Sequence, residues 1–356
     1  MTAAAGSLPV PMDLAAFDYD LPPDRIAQHP VEPRDAARLL LDRGPGRAPD
    51  DRIVADLPDL LGPGDVVVVN HTRVLPARLH LQKPTGGAVE VLLLEPDDPG
   101  QDPAAAELWQ ALVRPSRKVA PGTELAPPGD DTGLVVRIDD DLGEGRRRVR
   151  ILTGGTATLD ALDRHGEVPL PPYITEPLDD PERYQTVFAQ RPGSVAAPTA
   201  GLHLTPEVLA RLDVLGVPVH PVELVVGLGT FRPITADRVE DHRMHAERYR
   251  VPPATMTACA EADRVVAIGT TVTRALESAA ATGELCGRTE LFIHGDHDWK
   301  VVDVLLTNFH IPRSSLLVMI DAFVGARWRD LYQHALDHEY RFLSFGDAML
   351  LVRSPR

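Results

Sequence analysis

The sequence predicts an α/β protein with two domains, one of them an all-β barrel inserted into the other. The second half alternates strand-like apolar runs with helices, which is typical of a largely parallel sheet, open or closed into a barrel. Residues 75–168 instead carry short β-rich runs separated by prolines and glycines. A chain of 356 residues also exceeds one ordinary domain. We therefore expect a discontinuous α/β domain over 12–74 and 169–356, and a β domain over 75–168.

Composition and charge restrict the class of protein. The chain is 44% hydrophobic and 25% charged, and no apolar run reaches the length of a membrane span. Residues 1–10 have no basic cluster ahead of an apolar core, so we expect no signal peptide. Cys259 and Cys286 lack a metal-binding spacing, which makes a reducing cytoplasm the simplest compartment. The net charge of −16 is the reverse of a typical nucleic-acid footprint, although a local basic face is compatible with it.

The first strands of the α/β domain lead to a set of polar residues. Residues 38–42 are an apolar strand candidate, and residues 66–69 form a β-branched run typical of a strand covered on both faces. Asn70, Thr72 and Arg73 follow directly. Ligands of open α/β folds collect at the carboxyl ends of such strands. These residues indicate either a binding site or a turn formed by the asparagine and threonine.

The predicted β domain has short strands and two basic clusters. Its strand candidates are 77–81, 89–94, 109–113, and the arms 134–138 and 148–152 of a hairpin around the acidic turn 139–145. The basic clusters are Arg114 with Arg117 and Lys118, and the run 146–148. They could contact phosphates, or they could be solvated charges that protect strand edges from aggregation.

After residue 173 the pattern returns to alternating strands and helices. Predicted strands are 217–226, 265–268, 291–293 and 302–306, and predicted helices are 272–280, 315–322 and 328–338. Gly269, Thr270 and Thr271 join a strand to a helix, and a helix N-terminus there directs N–H groups at an anion. The alternative is that Thr270 or Thr271 caps its own helix.

The stretch 197–203 combines a proline, a hydroxyl, a glycine and an imidazole just before a helix start. Thr205 is the predicted N-cap and Pro206 the first helical residue. His203 therefore lies in a loop that feeds the positive end of a helix. A histidine exchanges a proton near neutral pH. The structural alternative is a tight turn whose histidine caps or packs.

Several standard catalytic sites are absent from the sequence. It has no dinucleotide-binding glycine fingerprint, phosphate loop, nucleophile elbow or zinc-protease motif. His242 with His245, and residues 294–298, are rich in ligand atoms but have no diagnostic spacing, so we expect no metal site.

What remains is a group of polar residues at strand ends and in loops. Together they suit an organic ligand with several hydrogen-bonding arms, and their histidines and carboxylate suit proton transfer. The candidates are Asn70, Thr72, Arg73, Thr199, Gly201, His203, Gly229, Thr230, Phe231, His245, Thr270, Thr271, Asn308, His310 and Asp347.

Long, ordered motifs containing these residues closely resemble the S-adenosylmethionine:tRNA ribosyltransferase-isomerase family of queuosine biosynthesis. The resemblance runs nearly end to end, so it is specific. The motifs are 17–21, 32–35, 72–74, 184–188, 193–203, 226–231, 306–310, 340–342 and 345–349.

The resemblance implies a barrel-like α/β domain with an inserted β-barrel domain. It also implies that S-adenosylmethionine, a substrate and not a cofactor, gives its ribosyl part to the aminomethyl group of a 7-deazaguanine in tRNA. Adenine and methionine leave, and epoxyqueuosine forms. A base must remove a proton next to the sulfonium, and an acid must assist the departure of adenine.

Within that reaction the candidate residues take expected roles. His203 is the first candidate for base or acid, His310 the second and His245 the third. Thr270 and Thr271 are expected to hold the methionine carboxylate. Contacts to the ribose or the tRNA backbone are expected from Asn70, Thr72 and Arg73, and further substrate contacts from Thr199, Gly201, Gly229, Thr230, Phe231, Asn308 and Asp347.

Two alternatives remain open at this point. The residues 293–299 lack the Tyr-Pro-Gly pattern of the family, His71 stands where an aspartate or asparagine is expected, and the chain is strongly acidic. The first alternative is a relative that cleaves S-adenosylmethionine with a small nucleoside or amine as acceptor, or with none. The second is a protein that binds S-adenosylmethionine without catalysis.

Overall fold

Two β-sheets organise the computed structural model, which describes residues 12–98, 100–129, 133–227 and 233–354. The N-terminal segment considered for a signal peptide and the candidates Gly229, Thr230 and Phe231 lie outside these described residues.

The described residues form eighteen strands and six α-helices, numbered along the chain. The strands are β1 (Arg38–Leu41), β2 (Asp50–Ile53), β3 (Asp65–Asn70), β4 (Thr72–Val74), β5 (Arg78–Gln82), β6 (Ala88–Pro96), β7 (Leu108–Arg114), β8 (Glu124–Leu125), β9 (Val135–Gly143), β10 (Arg146–Leu152), β11 (Gly166–Glu167), β12 (Arg191–Ser194), β13 (Val219–Leu224), β14 (Glu247–Arg250), β15 (Arg264–Ile268), β16 (Cys286–Thr289), β17 (Val304–Asn308) and β18 (Ala348–Val352). The helices are α1 (Thr158–His165), α2 (Pro206–Val214), α3 (Pro253–Glu261), α4 (Thr270–Thr282), α5 (Ser315–Val324) and α6 (Trp328–Asp337).

Nine strands form one mixed sheet in the order β16-β14-β13-β3-β15-β17-β18-β1-β2. The four strands β13, β3, β15 and β17 are parallel to one another and lie near its centre. Antiparallel strands extend the sheet on both sides. For example, β2 follows β1 after the turn 42–49, and a connection this short joins antiparallel strands. The longest parallel run is therefore confined to these four strands, and β18 with β1 forms a second parallel pair beside it.

Strand β3 is the covered strand that its β-branched run predicts. Val66 and Val68 face the core formed with α4, α5 and α6, while Val67 and Val69 face a second core formed with α2. All four side chains are buried. Alternating residues of one strand thus enter two different cores, which requires apolar side chains at every position.

The inserted domain is a seven-stranded antiparallel sheet in the order β11-β5-β6-β7-β10-β9-β8. Its far end returns to β5, where Gln82 and Ala126 exchange two backbone hydrogen bonds of 2.8 and 3.1 Å, so the sheet curls into a partly closed barrel. Trp109 is fully buried inside it. The chain leaves and re-enters at neighbouring points, because Glu167 pairs with Arg78. The predicted class, α/β with an inserted β domain, is confirmed.

Two local predictions were wrong, each for a visible reason. Residues 291–293 are not a strand, because the Leu291 carbonyl accepts a hydrogen bond from the Arg274 side chain and not from a neighbouring strand. The acidic stretch 139–141 belongs to β9 and not to a turn, because its carboxylates pair across the hairpin with arginines of β10.

None of the helices in the described ranges has the length and the apolar character needed to span a bilayer.

Glu277 of α4 anchors the loop that precedes β17. Its carboxylate is buried and accepts backbone hydrogen bonds from Lys300, Val301 and Val302 at 2.9 to 3.0 Å. Burial opposes ionisation, but these bonds and one from His297 outweigh it and keep the pKa of Glu277 below its usual value. Helix α4 and the loop before β17 are therefore joined through the carboxylate of Glu277.

We expect Glu277→Gln to lower the free energy of unfolding at pH 7 by roughly 2 kcal/mol, because charge-assisted bonds to three amides are weakened without a change of shape. Urea denaturation measures the difference. Glu284→Gln, an exposed change just beyond the same helix, is the matched control and should stay within about 0.5 kcal/mol of wild type. Equal stability of the two variants would contradict the anchoring role.

Candidate active site

A cleft opens at the carboxyl ends of the four parallel strands. The chain leaves β13 toward Val226, β15 toward Gly269, and β17 toward His310, and these three residues line the cleft. Such an edge is where open α/β sheets bind ligands. The cleft encloses about 610 Å³ of empty space, part of it open to solvent. Its walls are formed by Tyr173, Ala197, Pro198, Thr199, Ala200, Val226, Gly269, Thr270, Thr271, Thr307, Asn308, Phe309, His310, Ile311, Ser314, Leu316, Leu343 and Ser344.

The N-terminus of α4 faces this cleft without a side-chain cap. Its N-cap is Gly269, with φ 101° and ψ 157°, a conformation that glycine adopts readily. Neither Thr270 nor Thr271 caps the helix, so the capping alternative does not apply. The first N–H groups of the helix and two hydroxyl-bearing residues therefore meet the cleft together, an arrangement that favours an anion.

A chain of three side chains runs from the cleft wall to the predicted histidine. The Thr199 hydroxyl donates to Asn308 Oδ1 at 2.9 Å, and Asn308 Nδ2 donates to His203 Nε2 at 3.0 Å. Because Nε2 accepts this bond, the neutral ring carries its proton on Nδ1. His203 thus orients the Asn308 amide, and Asn308 with Thr199 faces the cleft.

His203 itself lies behind the wall. It ends the short 3-10 helix Thr199–His203 and is buried. Burial lowers its pKa to about 4, and the positive charges of Arg341, Arg34 and Arg183 act in the same direction. At neutral pH the ring is uncharged. The predicted helix start after it is confirmed, because the Thr205 side chain accepts the Val208 N–H.

His310 is the histidine that lines the cleft. Its Nε2 is 3.0 Å from the Thr307 hydroxyl. Its backbone is held by two phenols: the Tyr19 hydroxyl donates to the His310 carbonyl at 2.5 Å, and the His310 N–H donates to the Tyr332 oxygen at 3.0 Å. Burial lowers the pKa of His310 to about 3, so this ring is also neutral at pH 7.

The phenols belong to an aromatic cluster that sequence reasoning did not find. The rings of Tyr19 and Tyr332 meet edge to face at 5.2 Å, and those of Phe309 and Phe342 lie 4.7 Å apart. Burial raises the pKa of both tyrosines, so they stay protonated. Their contacts link the segment around residue 19 to the end of β17 across 291 positions of sequence. No local pattern reveals such a contact.

Two other wall residues were also missed. Tyr173 donates to or accepts from the Ser344 hydroxyl at 2.7 Å, and burial raises its pKa to about 12. Ser314 is the N-cap of α5, where its oxygen accepts the Leu317 N–H. A serine directly before an apolar helical run is an N-cap signal, and this signal could have identified Ser314 from the sequence.

Asn70, Thr72 and Arg73 are not cleft-wall residues in the described structure. The buried Asn70 amide donates to the Leu224 carbonyl at 2.9 Å and accepts the Leu224 N–H at 3.3 Å, which ties β3 to β13 behind Thr271. Thr72 is buried beside it, and Arg73 forms an exposed ion pair with Glu182.

Gly201, Asp347 and His245 also lie away from the cleft wall. A Cβ on Gly201 would approach Phe188 Cζ to 2.8 Å, so this glycine permits close packing. The buried Asp347 carboxylate accepts the N–H groups of Arg38 and Arg341 at 3.0 and 2.8 Å. His245 lies in an exposed loop.

The described cleft wall contains no carboxylate. Nearby, the buried Glu247 pairs with Arg274 of α4 and accepts the Gly227 N–H at 3.1 Å. It therefore fixes the backbone of Gly227 next to Val226.

A separate group in the described residues has the spacing of metal ligands. Asp51, His334 and His338 offer ligand atoms within 4.8 Å of one another. Asp51 is already bonded to Tyr340 and paired with Arg38. These are not the histidines that the sequence pattern suggested.

Comparisons with known proteins agree with one another. The family described as "Queuosine biosynthesis protein" matches residues 14–351. An S-adenosylmethionine:tRNA ribosyltransferase-isomerase from Rubrobacter xylanophilus is 48% identical over 342 residues, 96% of this chain and 98% of that protein. One from Thermus thermophilus is 49% identical over 360 residues, 95% and 99% of the two chains. The crystal structure of an S-adenosylmethionine tRNA ribosyltransferase from Thermotoga maritima has 34% identity and a TM-score of 0.53, and covers 95% of this chain and 100% of its own.

The two buried histidines predict a loss of stability in mild acid. Folding lowers the pKa of each ring. As the pH falls below ~6.5, the unfolded chain therefore binds a proton at each histidine that the folded protein does not bind. Their contribution is complete above pH ~6.5 and falls, as pH drops toward 4, by about 1.4 kcal/mol per pH unit for each ring.

Urea denaturation at pH 7, 6 and 5 measures this slope. His203→Gln keeps an acceptor for Asn308, and we expect it to reduce the slope by about one proton. Val214→Ala, a change at an exposed residue that does not titrate, should leave the slope unaltered. A His203→Gln protein with the wild-type slope would show that this ring is not buried in its neutral form.

Proposed function

The chain belongs to the S-adenosylmethionine:tRNA ribosyltransferase-isomerase family of queuosine biosynthesis, and we propose that the cleft at the ends of β13, β3, β15 and β17 is its active site. The enzyme transfers and isomerises the ribosyl part of S-adenosylmethionine onto the 7-aminomethyl-7-deazaguanine of tRNA. Epoxyqueuosine forms, and adenine and methionine leave. One observation carries the assignment to this cleft: the segments 197–200, 269–271 and 307–311, far apart in sequence, form a single wall.

The N-terminus of α4 suits the methionine end of the substrate. A carboxylate placed there meets unpaired N–H groups and the equivalent of about half a positive charge. Thr270 and Thr271 add hydroxyl donors that the helix itself does not use as caps. We assign the methionine carboxylate to these two residues.

The neutral state of His310 suits the reactive end. S-adenosylmethionine carries a positive sulfonium, which an imidazolium in the same cleft would repel. Because burial keeps His310 uncharged at pH 7, the ring can lie beside the sulfonium without repelling it. The low pKa makes the ring a weak base, so removal of a proton depends on the acidity that the sulfonium gives to the adjacent C–H bond.

The low pKa of His310 also suits the later step, in which adenine departs. Once protonated, His310 is a strong acid for a histidine, and it can pass its proton to the departing adenine. One residue then takes up and returns the proton, so the ring ends the cycle neutral. We therefore assign the catalytic proton transfers to His310.

His203 is assigned a positioning role. It fixes the Asn308 amide, which faces the cleft together with Thr199. Each of these two polar groups retains hydrogen-bonding capacity for the ribose hydroxyls or the adenine edge.

The remaining candidates support the walls or complete them. Asn70 and Asp347 hold backbone segments together behind the cleft, Gly201 permits close packing, and Thr72 is buried beside Asn70. Gly229, Thr230 and Phe231 lie outside the described residues, and we retain them as expected substrate contacts.

We place the reaction in the cytoplasm. Both cysteines are free thiols, Cys259 buried and Cys286 exposed, and an exposed thiol suits a reducing compartment.

Product release tests the function directly. We expect adenine and methionine to appear in equal amounts when the protein is incubated with S-adenosylmethionine and tRNA that bears 7-aminomethyl-7-deazaguanine. The same tRNA with guanine at that position is the control and should give none. Release without the modified nucleotide would indicate another acceptor or a lyase, and binding of S-adenosylmethionine without release would indicate a binding protein.

Substitution of His310 tests the proton-transfer assignment. We expect His310→Gln, which preserves a polar contact to Thr307, to lower kcat by 10²- to 10⁴-fold while the Kd for S-adenosylmethionine changes little. His203→Gln should lower kcat less and raise KM, because it acts through Asn308. His80→Gln on the inserted domain is the control for folding and handling. Full activity of His310→Gln would overturn the assignment.

A further inference from the structure

An arginine-lined groove lies beside the cleft of this acidic protein. Arg191, Arg248, Arg250 and Arg288 line it, and we call it the arginine groove. It encloses about 1610 Å³ of empty space, including open solvent. Its lining carries four arginines against two carboxylates, Asp102 and Glu223, whereas the whole chain has a net charge of −16. Arg191 pairs with Glu223 and Arg288 pairs with Glu95, so the groove carries a small excess of positive charge within an acidic protein.

Strand register places Arg248, Arg250 and Arg288 on one face of the sheet. Arg248 and Arg250 are two positions apart on β14, so their side chains share a face, while Tyr249 between them is buried in the core. Arg248 stands directly opposite Arg288 of β16. The two residues therefore lie on neighbouring strands at the same level of the sheet.

The inserted domain forms the other wall of the groove. Residues 100–103 line it, and Arg288 forms two contacts of 2.9 and 3.2 Å with Glu95 of β6. The groove is thus a junction between the two sheets and not an open surface.

The groove and the cleft are adjacent. Val225 lines the arginine groove, and the next residue, Val226, lines the cleft. On the β12 side, Arg191 and Pro192 lie in the groove, and the same segment reaches the cleft wall at Ala197. A polymer whose modified nucleotide occupies the cleft would therefore pass the arginines with its neighbouring phosphates.

Two arginines of the basic run that the sequence suggested are already in ion pairs. Arg147 is buried and paired with Asp141, and Arg148 is paired with Asp97 and Asp140. Within the described residues these arginines stabilise the β9–β10 hairpin. They leave less positive charge for a ligand than their sequence indicates.

We propose that the arginine groove binds the phosphodiester backbone of the tRNA beside the nucleotide that enters the cleft. The proposal rests on the proposed function for its choice of polyanion. Arginine suits this role because its planar guanidinium pairs with phosphate oxygens through two N–H groups.

The test is tRNA binding over a range of salt concentrations, measured by fluorescence anisotropy with the full-length protein. We expect Arg248→Gln/Arg250→Gln to lower affinity about tenfold at low salt and to reduce the slope of log K against log salt by roughly 1.4 to 1.8, the value for two lost phosphate contacts. The KM for tRNA should rise by a similar factor, with kcat at saturating tRNA and the Kd for S-adenosylmethionine unchanged.

Arg117→Gln/Arg146→Gln is the matched control, with the same change of charge at exposed residues of the inserted domain. Wild-type affinity and slope in the groove variant would overturn the proposal, and so would an equal or larger loss in the control. Adenine release by wild type in the same samples separates the two claims. Absent release would overturn the function, whereas normal release by a groove variant with unaltered KM would overturn the groove alone.

Discussion

Parallel strands impose the constraint on which this structure depends. In a parallel run every strand ends at the same edge of the sheet, so the loops that follow must meet there whatever their distance in sequence. Burial of β3 on both faces fixes this run at the centre of the sheet, between β13 and β15. The segments after β13, β15 and β17 are consequently brought to one cleft. Packing of valines thus determines where the chemistry can occur.

Burial acts a second time on the histidines. In water a histidine is partly charged near neutral pH, and a cationic substrate would disfavour that form. Here the protein interior removes the charge before substrate arrives, through desolvation at His310 and through desolvation with nearby arginines at His203. Keeping both histidines neutral lowers the folding stability in acid, and it leaves the site without their positive charge. Tyr19 and Tyr332 then hold the His310 backbone in place.

The sequence predicted features that depend on local pattern. The buried run 66–69 and the helix start at Thr205 follow from composition and capping, and the structure has the strand and the cap where they were expected. The sequence does not reveal that His310 lines the cleft while His203 lies behind Asn308, because this depends on how distant segments pack. The phenols that hold His310 depend on contacts between distant segments. The arginine groove arises from strand register, and the basic run 146–148 looked equally suitable until its carboxylate partners were known.

The insertion point has a consequence for how the protein can change. Because Glu167 pairs with Arg78, the host domain spans the whole insertion as if it were one short loop. Strands can be added to or removed from the inserted sheet without any change in the distance between its two ends. The wall of the arginine groove can therefore vary in length and charge among homologous proteins, while the cleft on the host sheet keeps its geometry. Recognition of the polymer and chemistry on the nucleotide are thus able to evolve separately.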